Sequence, residues 1–323
     1  MDDGRLLVVC KDDDALDVID LESGETARAG VASGSTPHEV VATREGRLAY
    51  MPVYSTAPVG VAGSDGRRVD IVDLMTFRRV GEIRLAFPSR PHQAGLLPTD
   101  HLIVSTELDE SITVIDPSTR RVVARMPTGQ AESHTFALSS DGCRIVTANV
   151  GPGNVSVIDV PSRTLVGVVE VAGKVNRICF EPDGRLAYTA DQGSPRIAVI
   201  DTELVEQVGW IGIPSIGFGT AVTADGSHLV VALRTASEIV VVDRRSGEVA
   251  HRVATPNHPQ AIVLHPDGVR AYSACDADDC VVEVDVRAGR LLRRFETGRN
   301  PDGIAWSPRP DPISTPLLRR TDA

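Results

Sequence analysis

Three histidines stand at matching points of three consecutive stretches of this chain. They occur as Pro37-His38, Pro91-His92 and Ser133-His134, each eight residues before a turn glycine or its equivalent. The chain has eight histidines in all, so three at one offset is a concentration that invites a chemical reading. Imidazole titrates near neutral pH and can act as general acid or base. It also suits zinc, iron, copper or nickel, and three protein ligands with one open position is the arrangement of a catalytic metal. Carboxylates that could serve as a further ligand, an orienting partner or a base are Glu107, Glu39 and Glu132.

The same offset in the remaining stretches carries Asn176, Phe218, Gln260 and Asp302, with Arg177 beside the first of them. These residues offer hydrogen bonds, a cation and an aromatic face. Arg234 and Asp276 fall on neighbouring loops, with Lys11 beyond. Together they suit a small polar or carboxylated organic molecule held opposite the histidines, with Arg177 and Arg234 as anion binders. Each rim residue taken singly could equally be a solvated polar group.

What positions these residues is a repeat. Val155-Ser-Val-Ile-Asp159 has six counterparts, and their closing aspartates are Asp20, Asp73, Asp116, Asp159, Asp201, Asp243 and Asp285. The spacings are 53, 43, 43, 42, 42 and 42 residues, a period that marks one structural unit repeated seven times. One full unit reads as four short strands. Val175–Phe180 is apolar, Glu181-Pro-Asp-Gly184 is a turn, and Arg185–Ala190 alternates. A polar loop then leads to Arg196–Asp201, and a fourth strand runs around Val205–Ile211. Four antiparallel strands in about 42 residues is the pattern of a propeller blade. The expected fold is all-β, a seven-bladed β-propeller over residues 1–308. The chain opens on a second strand, Arg5–Cys10, and ends on a first strand near Asn300–Pro308, so the last strand should complete the first blade. Residues 309–323 hold three prolines and are expected to be a disordered tail.

Asp183-Gly-Arg-Leu-Ala-Tyr-Thr-Ala-Asp191 followed by Ile197-Ala-Val-Ile-Asp201 resembles the YVTN family of seven-bladed propellers, as does Asp267–Asp276 with Val281–Asp285. The resemblance covers about residues 5–308. It implies the fold, and it includes lactonase-like enzymes, surface-layer modules and binding proteins, so lactone opening or closing is the activity it makes nameable.

The first interval is longer than the rest, and its excess falls in Pro52–Arg68. That insertion reads either as a flap over the channel mouth, with Tyr54 placed to close over a ligand, or as a plain surface insertion.

Composition narrows the classes. Lys plus Arg number 33 against 44 Asp plus Glu, a net charge of -11, which disfavours nucleic-acid binding. No stretch has the apolar length of a membrane span, and Met1-Asp-Asp-Gly lacks the marks of a signal peptide, so a cytoplasmic protein is expected. Five cysteines without a CxxC fit reduced thiols. Cys143 and Cys179 read as packing residues in strands, and Cys275 and Cys280 flank one loop. No nucleotide-binding glycine loop and no covalent haem site is present. The leading expectation is a small-molecule enzyme at the channel mouth, a lyase, isomerase, cyclase or lactone hydrolase. It would use His38, His92 and His134 to bind a divalent transition metal (Zn, Fe, Cu or Ni) or for acid–base chemistry, with Glu107 in support. Its substrate would meet Tyr54, Asn176, Arg177, Phe218, Arg234, Gln260 and Asp302. The alternative is a non-catalytic propeller that binds a ligand or docks a protein partner. The sequence carries no signal for oligomeric state.

Overall fold

Seven four-stranded antiparallel sheets account for nearly all regular structure in the computed structural model, which describes residues 3–31 and 36–310. Six sheets use four consecutive strands; one runs Ile178–Phe180, Leu186–Ala190, Arg196–Asp201 and Glu206–Gly212, close to the unit read from sequence. In the seventh, the strand Pro301–Ser307 pairs with Arg5–Cys10, ahead of Ala15–Asp20 and Thr26–Gly30. Arg5 stands opposite Ser307 and Leu6 opposite Trp306, so the C-terminal strand closes the N-terminal blade as expected. The innermost strands touch in sequence around the molecule, from 41–42 through 91–96, 133–138, 178–180, 220–222 and 259–264 to 301–307 and back. The fold is a closed seven-bladed β-propeller. The tail beyond residue 310 lies outside the described residues.

The core is a set of layers between blades. Second and third strands are buried on both faces, which is why they read as continuous Val/Ile runs. Leu6, Val8 and Ile304 of the closing blade pack against Tyr272, Ala274 and Val281 of the preceding one. Val146 and Val155 meet Ala187 and Ala198 in the same way across another boundary.

The repeated aspartate has a local cause. In all seven copies its Oδ1 accepts a backbone N–H two or three residues on, as from Ser23, Thr76, Ser118, Ser162, Leu204, Ser246 and Ala288. This side-chain turn redirects the chain from the third strand to the outermost one.

The insertion departs from expectation. Its flanks continue the hairpin, as strands Leu48–Ser55 and Asp65–Asp73, and leave a shorter loop of residues 56–64. Arg90 holds that loop through Asp65 Oδ1 and the Val61 carbonyl. Tyr54 is on the strand and fully buried, so it is no flap residue. Cys143 lies in a turn and is exposed, contrary to a packing role.

Candidate active site at the channel mouth

Strand parity alone would not place the mouth residues, because four of them sit at β-bulges. Register jumps from Pro91↔Thr106 to Ala94↔Val104, from Ser133↔Asn149 to Thr135↔Ala148, and from Pro259↔Cys275 to Ile262↔Ser273. The closing strand jumps likewise, between the pairs at Cys10 and Val8. The extra residues include His92, His134, Gln260 and Asp302, and a bulge re-aims the side chain it carries.

The three histidines do come together. The His38 and His92 rings have centroids 5.2 Å apart, and His92 and His134 stack at 3.5 Å with planes 28° apart. Tyr54 fills the space beside them, with centroid distances of 5.0 Å to His38, 5.0 Å to His92 and 5.6 Å to His134.

Each ring turns Nδ1 toward an oxygen of the protein. His38 Nδ1 lies 3.1 Å from Asp302 Oδ2, and His134 Nδ1 bonds Glu107 Oε1. His92 Nδ1 lies 3.1 Å from the His134 carbonyl, which also accepts from Ser105 Oγ at 2.7 Å. Glu107 is buried, and its other oxygen accepts the Tyr54 hydroxyl at 2.7 Å. The acceptors call for a proton on each Nδ1 and leave Nε2 as the nitrogen turned away from these partners. Among the described residues no hydrogen bond reaches any of the three Nε2 atoms.

Among the described residues no three His, Cys, Asp or Glu side chains are disposed to hold one ion. The His92 and His134 rings lie face to face, and Tyr54 packs against all three rings.

A charged cluster adjoins His38 through Asp302. Arg177 reaches across the channel to Glu39 Oε1 at 2.8 Å and Asp302 Oδ1 at 3.2 Å, and Lys11 Nζ is 3.1 Å from Asp302 Oδ2. Burial pushes the Glu39 carboxyl up, against the pull of Arg177 and with the added push of Asp302. Burial also acts to raise Asp302, but Lys11, His38 and Arg177 outweigh it and hold that carboxyl well below its ordinary range. Two carboxylates on one guanidinium are thus driven apart in acidity, as in acid/base pairs. Burial lowers the proton affinity of His38 despite Asp302, and that of His92 further, helped by the neighbouring imidazoles. Beneath the mouth is a cavity of about 150 Å³ lined from all seven innermost segments, Glu39, Gln93, Thr135 and Arg177 among them.

The remaining residues divide. Phe218 is half-buried, with the guanidinium carbons of Arg177 and Arg234 5.8 and 5.5 Å from its ring centroid. Arg234 bonds Asp276 Oδ2 at 2.5 Å, so it is an anion binder already paired with a carboxylate. Asn176 is half-buried, and its carbonyl takes the Thr135 hydroxyl. Gln260 is buried and donates to the Pro301 carbonyl at 2.9 Å, which makes it a link between blades. Glu132 is wedged between Gly60 of the insertion and Gly151, outside the imidazole contacts. Sequence reasoning passed lightly over Glu39 and Lys11 and missed Arg90, whose guanidinium carbon is 5.7 Å from the centre of the Tyr54 ring. The Pro-His-Glu run at 37–39 was the available signal for Glu39.

Gly303 is what lets the closing blade reach the site. Its N–H bonds the His38 carbonyl at 2.8 Å, and a Cβ there would stand 2.3 Å from that oxygen and 2.6 Å from Glu39 Cα. Gly303→Ala should therefore cost about 3 kcal/mol, the upper end of overpacking penalties, because backbone cannot step aside. Urea unfolding of the variant beside wild type measures it.

No known family pattern matches the sequence, and no curated protein matches it. Solved structures do match in shape. Kuenenia stuttgartiensis hydrazine synthase superposes with a TM-score of 0.71 at 17% identity, covering 84% of this chain and 89% of that one. The dihydro-heme d1 dehydrogenase NirN gives 0.67 at 17% identity, covering 94% and 75%. A Bacteroides fragilis protein provisionally named a 6-phosphogluconolactonase gives 0.71 at 14% identity, covering 94% and 98%. Among the described residues no helix is long and apolar enough to cross a membrane. At these identities the likeness establishes the propeller and nothing finer.

Proposed function

We propose that the protein is an enzyme acting on a small molecule at the channel mouth, with His38 and His134 as its acid–base residues. The observation that carries this reading is the common state of the three imidazoles, Nδ1 bonded and Nε2 left over. A carboxylate on Nδ1–H orients the ring, fixes its tautomer and stabilises the imidazolium formed when Nε2 takes a proton. His38 has Asp302 in that role, and His134 has Glu107, itself steadied by Tyr54. Glu39, with its carboxyl pushed up, supplies a proton donor on the cavity side. Arg177 and Phe218 offer a cation and a flat apolar face to the substrate.

Paired proton donors and acceptors of this kind suit proton removal beside a carbonyl, as in an isomerase, lyase or cyclase, and suit lactone opening or closing. The provisional name of the Bacteroides fragilis propeller agrees with the last of these. The same three Nε2 atoms are also what a zinc, iron, copper or nickel ion would take, since Nδ1 bonded to a carboxylate or carbonyl is the usual companion of a ligating imidazole. Such an ion would supply Lewis-acid chemistry.

The test incubates a mixture of cellular metabolites with wild type and with the folded His38→Ala/His92→Ala/His134→Ala variant, and follows both by mass spectrometry. The expected result is one or a few compounds consumed by wild type only. No compound changed by wild type, or equal turnover by the variant, overturns the proposal. Elemental analysis of the two proteins decides the metal: near-stoichiometric metal lost in the variant favours the metal-dependent form, and none leaves acid–base chemistry alone.

A further inference from the structure

Outside the mouth, the sixth blade carries a second reactive pair. Cys275 and Cys280 are register partners at the end of the hairpin Arg270–Cys275/Cys280–Asp285, and both are fully buried. The same closing position in two other blades shows how side chains lie there. Thr106 and Ser111 are register partners with hydroxyl oxygens 3.0 Å apart. Asn149 and Asn154 are partners with Nδ2 and Oδ1 2.9 Å apart. The propeller hairpin therefore aims this pair of side chains at each other. Cross-strand partners have Cα atoms roughly 4.5–5.5 Å apart, inside the roughly 4.4–6.8 Å that a disulfide spans.

We infer that Cys275 and Cys280 are a dithiol centre that hydrogen peroxide closes to a disulfide. Contact between the two thiols holds Cys280 below the ordinary thiol range and pushes Cys275 above it, which marks Cys280 as the attacking sulfur. The Cys280 thiolate attacks one peroxide oxygen, the O–O bond breaks, and hydroxide leaves to become water with the proton Cys280 gave up. The sulfenic acid so formed is attacked by Cys275 Sγ. Its S–O bond breaks, and the second hydroxide leaves as water with the Cys275 proton. Two thiols and one peroxide thus give one disulfide and two waters. Peroxide is small enough for a pair beneath the four-residue turn Asp276–Asp279, whose Ala277 is exposed, and hairpin ends open locally.

The turn that the disulfide would staple is a junction. Asp276 bonds Arg234 of the mouth, Asp278 accepts from the Asn257 N–H at 2.7 Å, and Asp279 accepts from the Asn300 N–H at 2.8 Å. The other cysteines lack such a partner: burial pushes Cys179 up to about 12, and Cys10 is occupied with Asp17.

The inference is independent of the proposed enzyme activity. Its test uses the full chain with Cys143→Ser, which removes the exposed thiol. After mild peroxide and quenching, thiols are counted under denaturing conditions and intact mass is measured. Two of the four remaining thiols should disappear, with the mass lower by two hydrogens. A Cys275–Cys280 cross-link should appear in the peptide map, and dithiothreitol should reverse it. With Cys275→Ser added, the cross-link should vanish and a dimedone adduct should appear on Cys280. All four thiols surviving, a disulfide mapping elsewhere, or a cross-link persisting in that variant would overturn the inference.

Discussion

Arg177→Met is expected to lose about 3–5 kcal/mol of stability at neutral pH, the cost of leaving a buried charge without its partner. Arg177 is the cation that Glu39 contacts, and it shares Asp302 with Lys11. The loss should shrink on acidification. Glu39 has a raised folded pKa, so its contribution to stability is full below its ordinary value of 4.5 and is lost as pH rises through the folded value. Without Arg177 that folded value rises further, so the penalty grows between pH 4.5 and neutrality. Asp302 works in the opposite sense. Its folded pKa is depressed, and its contribution is present above 3.8 and disappears as pH falls through the folded value. Urea unfolding of wild type and variant at pH 5 and pH 7 should show the gap widening with pH. Glu39→Gln placed in the Arg177→Met background should recover much of the loss at pH 7. A gap that ignores pH, or no recovery, would mean that the cluster is not the coupled unit described here.

Removing the closing strand should have a larger effect still. A chain ending at Asn300 lacks Pro301–Ser307, so Arg5–Cys10 becomes an open edge and Leu6, Val8 and Tyr272 lose Ile304 and Trp306 from their shared layer. An unpaired, apolar strand edge invites pairing with other chains. The expected outcome is no cooperative thermal transition and concentration-dependent light scattering. A chain ending at Pro310 keeps the strand and the Arg309 bonds to Asp20 and Glu22, and should melt in one cooperative transition. Similar melting curves for the two truncations would show that closure contributes little.

The architecture was legible because it is written seven times over. Each VSVID-type run ends in an aspartate that makes its own turn, so the motif that sets the period also makes the geometry. Closure was legible from the missing first strand at one end and the unpaired strand at the other. The three histidines were legible as a group, since equivalent positions of a ring must converge. Their orientation was not. A bulge at His92 and another at His134 depend on where the partner strand's hydrogen bonds fall, which no single strand records. Tyr54 was misplaced because its insertion looked like a loop by composition, whereas two strands simply run on into it and bury the ring. Arg177 shows the remaining gap. It lies beside Asn176 in sequence, yet its partners are Glu39 and Asp302, more than a hundred residues away in either direction, and only closure of the ring brings them together.

The central claim is that His38, His92 and His134 present Nε2 as a free base because Nδ1–H is bonded to the protein. Long-range ¹H–¹⁵N correlation of the imidazole rings at pH 7, assigned with single His→Gln variants, reads this directly. Three of the eight histidines should appear as the less common neutral Nδ1–H tautomer, with unprotonated Nε2, and each signal should vanish with its own substitution. Glu107→Gln should release His134 from that state and leave His38 in it. If these three rings are instead Nε2–H tautomers, or average between the two forms, the imidazoles are not held by Nδ1 and the acid–base reading of the mouth is wrong.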